Sequence, residues 1–230
     1  MNKIEERKVL PVLGIETSGE VCGAAVYFDE KKFAEISLNI KNIHSEKILE
    51  IISKVLELCN TNLNEISTIA VSAGPGSFTG LRIGMSVAKG LAFGANKPII
   101  PVPTFDAMAF QIVSAFPVKG SFAICNKVNN EEVYIGKYGN GEQGYKIIDD
   151  IRVIERINLI KNLDGIDLMF GNINLENGTE KIKVEIAHPN PVWICRWANH
   201  YNKINKFGKD LLTFDYDFLE PNYLKNFIVR

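Results

Sequence analysis

Histidine, cysteine and long apolar runs are all scarce in this chain. Its three histidines, His44, His188 and His200, are spread over 230 residues. No two stand four apart, so they cannot form the paired ligands of an HExxH zinc peptidase. The four cysteines, Cys22, Cys59, Cys125 and Cys195, form no CxxC pair. They read as reduced, mostly buried thiols, the pattern of a cytoplasmic protein. The opening MNKIEERKVLPVLGIETS lacks the unbroken apolar stretch and small-residue cleavage site of a signal peptide. No apolar run reaches the ~20 residues needed to span a bilayer, so no membrane role is expected. An excess of charge is missing too. The 26 Lys and Arg stand against 27 Asp and Glu, for a net charge of −1. That argues against broad nonspecific nucleic-acid binding and is compatible with a role in RNA metabolism through a partner. There is no low-complexity segment and no short repeat.

What is present is an ordinary globular composition, with 46% hydrophobic and 23% charged residues. Three runs rich in β-branched residues, 9–17, 20–29 and 32–40, are separated by the short polar turns Ser18-Gly19 and Glu30-Lys31. They predict an antiparallel meander. A helix comes next, with Ser45 as its expected N-cap and Glu46 in its first turn. Its apolar residues Ile48, Ile51, Ile52, Val55 and Leu58 recur at helical spacing. Beyond it lie a strand at 68–72, the loop AGPGS, a helix at 78–93, a strand at 98–102 and a helix at 104–116. The order βββαβαβα predicts a mixed sheet with helices on its faces. Strands then begin again at 121–126, 132–138 and 145–153, with surface loops expected at 139–144 and 172–178. A helix is expected at 192–205, and EPNYLKNFIVR closes the chain. This echo predicts two lobes of related design. Residues 1–105, together with the C-terminal helix and segment, form the first, and residues 106–230 the second.

The most informative stretch runs from Ala73 to Arg82, between a strand and a helix. Gly74 and Gly76 permit backbone angles closed to other residues, Pro75 stiffens the turn, and Ser77 can cap the next helix. Amides at such a helix start can hold a phosphate, which makes Thr17, Ser18, Gly74, Gly76 and Ser77 candidate phosphate-binding residues. The stretch is neither of two familiar phosphate motifs. Gly80 is followed by Leu81 and Arg82 rather than Lys-Ser/Thr. The dinucleotide fingerprint has Thr79 at its third glycine, with no acid about 20 residues on. In the helix itself, Gly80, Gly84, Ala88 and Ala92 form a smooth stripe, and Phe78, Leu81, Met85 and Leu91 a neighbouring apolar one. Both suit either packing within the chain or a helix-mediated subunit interface.

The segment SAGPGSFTGLRIGMSVAKGLA resembles the signature of the TsaB family, also called YeaZ. GIETSGEVCGAAV resembles the first hairpin of that family and of its catalytic paralogue TsaD, IHSEKILEII its first helix, and EPNYLK its closing segment. The likeness is densest in the N-terminal half. It implies an α/β, two-lobed actin-like, Hsp70-like (ASKHA) fold of RNase H-like units. It also implies a non-catalytic subunit that pairs with TsaD, and with the ATPase TsaE, to place a threonylcarbamoyl group on the adenosine beside certain tRNA anticodons. Contact with tRNA would be indirect, through the complex. The partner surface would lie on the helices at 45–58 and 78–93, through Ile48, Ile52, Leu56, Leu81, Met85 and Ala88. In isolation the same apolar face would form a homodimer.

TsaD carries an HxxxH metal pair after the glycine-rich helix. Thr104 and Met108 stand at the matching positions here, and neither is an ordinary zinc or iron ligand. The resemblance thus implies no catalytic residue, no metal and no resident cofactor, and leaves open ATP or ADP with Mg²⁺ at the interface of the complex. The alternative is an independent actin-like ATPase. For that reading only Glu16 can be nominated as the carboxylate such ATPases place near the nucleotide's metal. A metallopeptidase, a label this superfamily once carried, finds no ligand set.

Overall fold

The computed structural model describes residues 10–142, 144–166, 168–175, 182–203 and 211–224. These divide into two compact units. One takes the described residues of Met1–Ala73, Ser77–Val102 and Asn190–Pro221. The other takes those of Gly74–Gly76, Pro103–Pro189 and Asn222–Arg230.

The first unit is built on a five-stranded sheet. Strands β1 (Val12–Glu16), β2 (Cys22–Tyr27) and β3 (Phe33–Leu38) form the expected antiparallel meander. Strand β4 (Thr68–Gly74) pairs parallel to β1, and β5 (Ile99–Pro103) lies beyond it, for the order β3-β2-β1-β4-β5. Every residue of β1, β2 and β4 is buried, as expected of strands covered on both faces. On one face, Leu13, Ile15, Ala24 and Val26 pack with Ile48, Ile51, Ile52 and Val55 of α1 (His44–Leu58) and Met85 and Ala88 of α2 (Phe78–Ala95). Each aliphatic side chain of Val or Ile size buried there contributes about 1.5–3 kcal/mol. On the other face lies α5 (Pro191–Lys203). A Cβ at Gly14 would meet Cys195, and one at Gly23 would meet Pro191, so the absence of side chains at these two positions lets α5 sit close to the strands.

The second unit repeats the wiring. Strands β6 (Ser121–Lys127), β7 (Glu132–Gly141) and β8 (Gly144–Glu155) form an antiparallel meander, and β9 (Leu168–Gly171) and β10 (Ile182–Val184) add in parallel beside β6. The order is β10-β9-β6-β7-β8. Helix α3 (Thr104–Ala115) packs against β7 and β8. Aromatic rings fill part of this unit. Phe122 lies 5.9 Å from Tyr138 and 5.5 Å from Phe170, and Phe105 lies 6.2 Å from Tyr134. A second cluster gathers Ala123, Cys125, Val133, Ile135 and Met169 with Leu159 of the short helix α4 (Leu159–Asn162).

Some expectations are corrected. Helix α1 starts at His44, after Ile43, without a side-chain cap. The amides of Glu46 and Lys47 both donate to the Ile43 carbonyl, which leaves Ser45 inside the first turn rather than at its cap. The loop expected at 139–144 is shorter, because β7 and β8 stay paired out to Gly141 and Gly144. Residues 176–178 of the other expected loop, Val9 of the first strand and 204–205 of the last helix lie outside the described residues. So does all of EPNYLKNFIVR beyond Leu224. Ser77 does cap α2, its Oγ accepting from the Gly80 amide at 3.2 Å.

Candidate functional site

Strand β1 delivers three polar residues into the interior at its end. Glu16 and Thr17 have no exposed surface, and Ser18 has 4%. They stay together because the short turn to β2 folds back on itself. The Ser18 amide donates to Glu16 Oε1 at 2.6 Å, and the Ser18 hydroxyl donates to the same oxygen. Helix α2 rests on this turn. The Ser77 amide donates to the Ser18 carbonyl at 2.7 Å. A Cβ on Gly80 would collide with the Thr17 carbonyl and one on Gly84 with Thr17 Oγ1. With Ala88 and Ala92 buried in the core cluster, the small-residue stripe thus serves packing of the chain on itself.

Burial pushes the Glu16 carboxyl up from the ordinary 4.5 to about 7, against the opposing pull of the Ser18 hydrogen bonds and of the nearby Ser72 hydroxyl. A carboxyl that ionises later in the fold than in the unfolded chain makes the fold less stable as pH rises from about 4.5 to about 7. Burial, and then the Glu16 charge, pushes the neighbouring Cys22 thiol up to about 11. Burial raises Cys59, Cys125 and Cys195 as well. All four cysteines are free, and thiols so shifted are poor nucleophiles at neutral pH.

Thr17, Ser18, Gly74 and Ser77, four of the residues nominated as a phosphate cradle, donate their amides within the chain. Thr17 N donates to Ser72 Oγ at 3.4 Å, Ser18 N to Glu16, and Ser77 N to Ser18. In the second unit, Gly74 N donates to Thr104 Oγ1 at 3.1 Å. Gly76 is half-buried. A phosphate at this turn would have to displace these bonds. Sequence pattern missed this because the partners lie up to 55 residues away.

Thr104 and Met108, at the positions of the paralogue's metal pair, have structural partners. Thr104 accepts from Gly74, and Met108 Sδ lies 3.9 Å from Asn126 Nδ2. Among the described residues, no group of three or more His, Cys, Asp or Glu could hold a metal ion. His44 Nε2 sits 3.1 Å from the Val21 carbonyl, a local bond.

Of the six nominated partner contacts, Ile48, Ile52, Leu81, Met85 and Ala88 are at most 3% exposed and Leu56 is half-buried. Helical periodicity identified an apolar stripe, and the chain's own sheet covers it. The accessible side chains on the two helices are others. Leu49 is 56% exposed, Ser86 is exposed, and Ile83 and Val87 are half-buried beside the core.

No helix among the described residues is long and apolar enough to cross a membrane. The TsaD family model, described as tRNA N6-adenosine threonylcarbamoyltransferase, matches residues 34–192. A Haemophilus influenzae relative, "tRNA threonylcarbamoyladenosine biosynthesis protein TsaB", is 30% identical over 94% of both chains. A Bacillus subtilis protein of the same name is 26% identical, again over 94% of both. Among solved structures, YeaZ from Pseudomonas aeruginosa superposes with a TM-score of 0.73 at 21% identity, covering 93% of this chain and 99% of that one. The fold is therefore the actin-like arrangement of two RNase H-like units. With matches spanning nearly its whole length, the chain belongs to the TsaB (YeaZ) family, on a fold it shares with TsaD.

Proposed function

We propose that this chain takes part in the biosynthesis of N6-threonylcarbamoyladenosine in tRNA, as a non-catalytic subunit that binds and supports a TsaD-type transferase. The observation that carries the reading is the near-complete alignment, end to end, with relatives named for that biosynthesis. Two features of the molecule support the non-catalytic part. Thr104 and Met108 are held in structural contacts where the paralogue has metal ligands. The Thr17, Ser18 and Ser77 amides, candidates to grip a phosphate, are bonded within the chain. The partner meets the outer surface of α1 and α2, through Leu49, Leu56, Ile83 and Val87 rather than the buried residues beneath them. TsaE joins through the complex, and tRNA is met there too. Alone, the same surface pairs two copies of the chain.

Sizing chromatography with light scattering tests this on the chain alone and mixed with TsaD of the same organism. The expected result is a complex of one copy each, weakened about tenfold or more when Leu49→Arg and Ser86→Arg are combined. Both positions are exposed, so the fold should survive. No complex, with or without nucleotide and tRNA, sinks the subunit reading. A complex indifferent to both substitutions moves the partner surface elsewhere.

A further inference from the structure

Glu16 presents a buried carboxyl that is only half satisfied. Its Oε1 takes both donors of Ser18, while Oε2 has no hydrogen-bond partner, and neither has the adjacent Thr17 Oγ1. The groups facing it from the surrounding elements are neutral. Strand β2 brings Gly23 opposite and the Cys22 thiol nearby. Strand β4 brings the Ser72 hydroxyl. Helix α2 brings Gly80 and Gly84 against Thr17, and α5 brings Cys195 against Gly14. Among the described residues no lysine, arginine or histidine acts on the Glu16 charge. A carboxylic acid tolerates such a place, but a carboxylate with an empty oxygen and no cation does not.

The main chain just beyond Glu16 is the seat of α2. The Ser18 carbonyl accepts from Ser77, the residue that caps the helix, and the Thr17 carbonyl and hydroxyl lie against its first two turns. Whatever moves Glu16–Ser18 therefore moves the start of the helix. We propose that Glu16 is a proton-operated latch on α2. Protonated, it holds the turn and the first turn of the helix as described. When the proton leaves to solvent, the carboxylate draws in water, the Ser18 carbonyl turns from Ser77, and the first turn of α2 loosens. Burial places that change near neutrality, at about 7. That the latch also tunes partner binding rests on the proposed function, but the hydrogen-exchange test of the latch does not.

The test is amide hydrogen exchange on the full chain without partner, at about pH 5.5 and about pH 8.5, corrected for the intrinsic pH dependence of exchange. Protection at Ser77, Gly80 and Leu81 should fall about tenfold or more at the higher pH, with the β6–β7 amides unchanged. Glu16→Gln, which cannot ionise, should keep that protection at both. On the wild-type chain with labelled glutamate, infrared spectroscopy should show a protonated carboxyl band at about pH 6 that is gone by about pH 8.5. This second readout needs no variant to fold. Equal protection at the two pH values, the same loss in Glu16→Gln, loosening of β6–β7 to the same degree, or no carboxyl band at about pH 6 would each overturn the latch.

Discussion

The two units share one wiring diagram and use it differently. In each, a three-stranded meander leads into parallel strands, with orders β3-β2-β1-β4-β5 and β8-β7-β6-β9-β10. In each, the first parallel strand ends on a glycine with positive φ, Gly74 at 102° and Gly171 at 125°. The difference lies in the helices that connect and cover the strands. The first unit sends long helices, α1 and α2, over its sheet and tucks an acid under the second of them. At the matching meander position, the second unit has only the four-residue α4. The wiring is thus a frame common to both, and the specialised parts are hung on one copy.

The largest expected effect tests the frame. Gly171→Ala should cost about 3 kcal/mol or more, because its Cβ would strike the Cys125 carbonyl and its φ is left-handed. Gly74→Ala, at the same place in the other sheet, should cost at least about 1 kcal/mol from its φ alone. Denaturant unfolding measures both, and a neutral Gly171→Ala would break the parallel between the strand ends.

The next effect separates the helices that cover the sheets. Met85→Ala empties a site in α2 that is 3% exposed and should cost about 2–4 kcal/mol. Ile157→Ser, in the 3-10 turn before α4, removes a side chain that is 86% exposed and should stay within about 0.5 kcal/mol. Similar losses at the two positions would mean that the second unit relies on its short turn as much as the first relies on α2. A small effect of opposite sign lies within α2 itself. Gly90 has nothing within 4 Å of its would-be Cβ, so Gly90→Ala should raise stability by about 0.5–1 kcal/mol, read as a higher melting temperature.

The frame was largely legible from sequence. β-Branched runs bounded by polar turns placed β1 to β3 and β6 to β8 within a few residues, and Ser77 announced the start of α2. The short elements β9, β10 and α4 were not legible, because three or four residues carry too little periodicity. Ser45 misled because a good capping residue says nothing about which carbonyl the first free amides will find. The site was less legible still. Met85 and Ile48 show the helical spacing of a buried stripe, but spacing does not say whether a sheet of the same chain or a partner covers it. For a related reason, the intrachain bonds of the Thr17, Ser18 and Ser77 amides were not legible either. Glycine-rich turns advertise free amides, and here Ser72 and Ser18 take them, a fact that depends on β4 lying beside β1.

Helix α5 comes from residues 191–203 yet packs on β1, β2 and β3, and Thr213 bridges back to Ile99 while the Tyr216 hydroxyl donates to the Lys97 carbonyl at 2.6 Å. The described strands of the second unit, by contrast, all lie between Ser121 and Val184. During synthesis, the sheet of the first unit must therefore wait for α5, which is made after β10 of the second unit. As the chain leaves the ribosome, the described strands of the second unit are complete while the first unit still lacks the helix that covers one side of its sheet. Until α5 emerges, one face of the N-terminal meander has no helix to cover it, and its buried strands are left open to water.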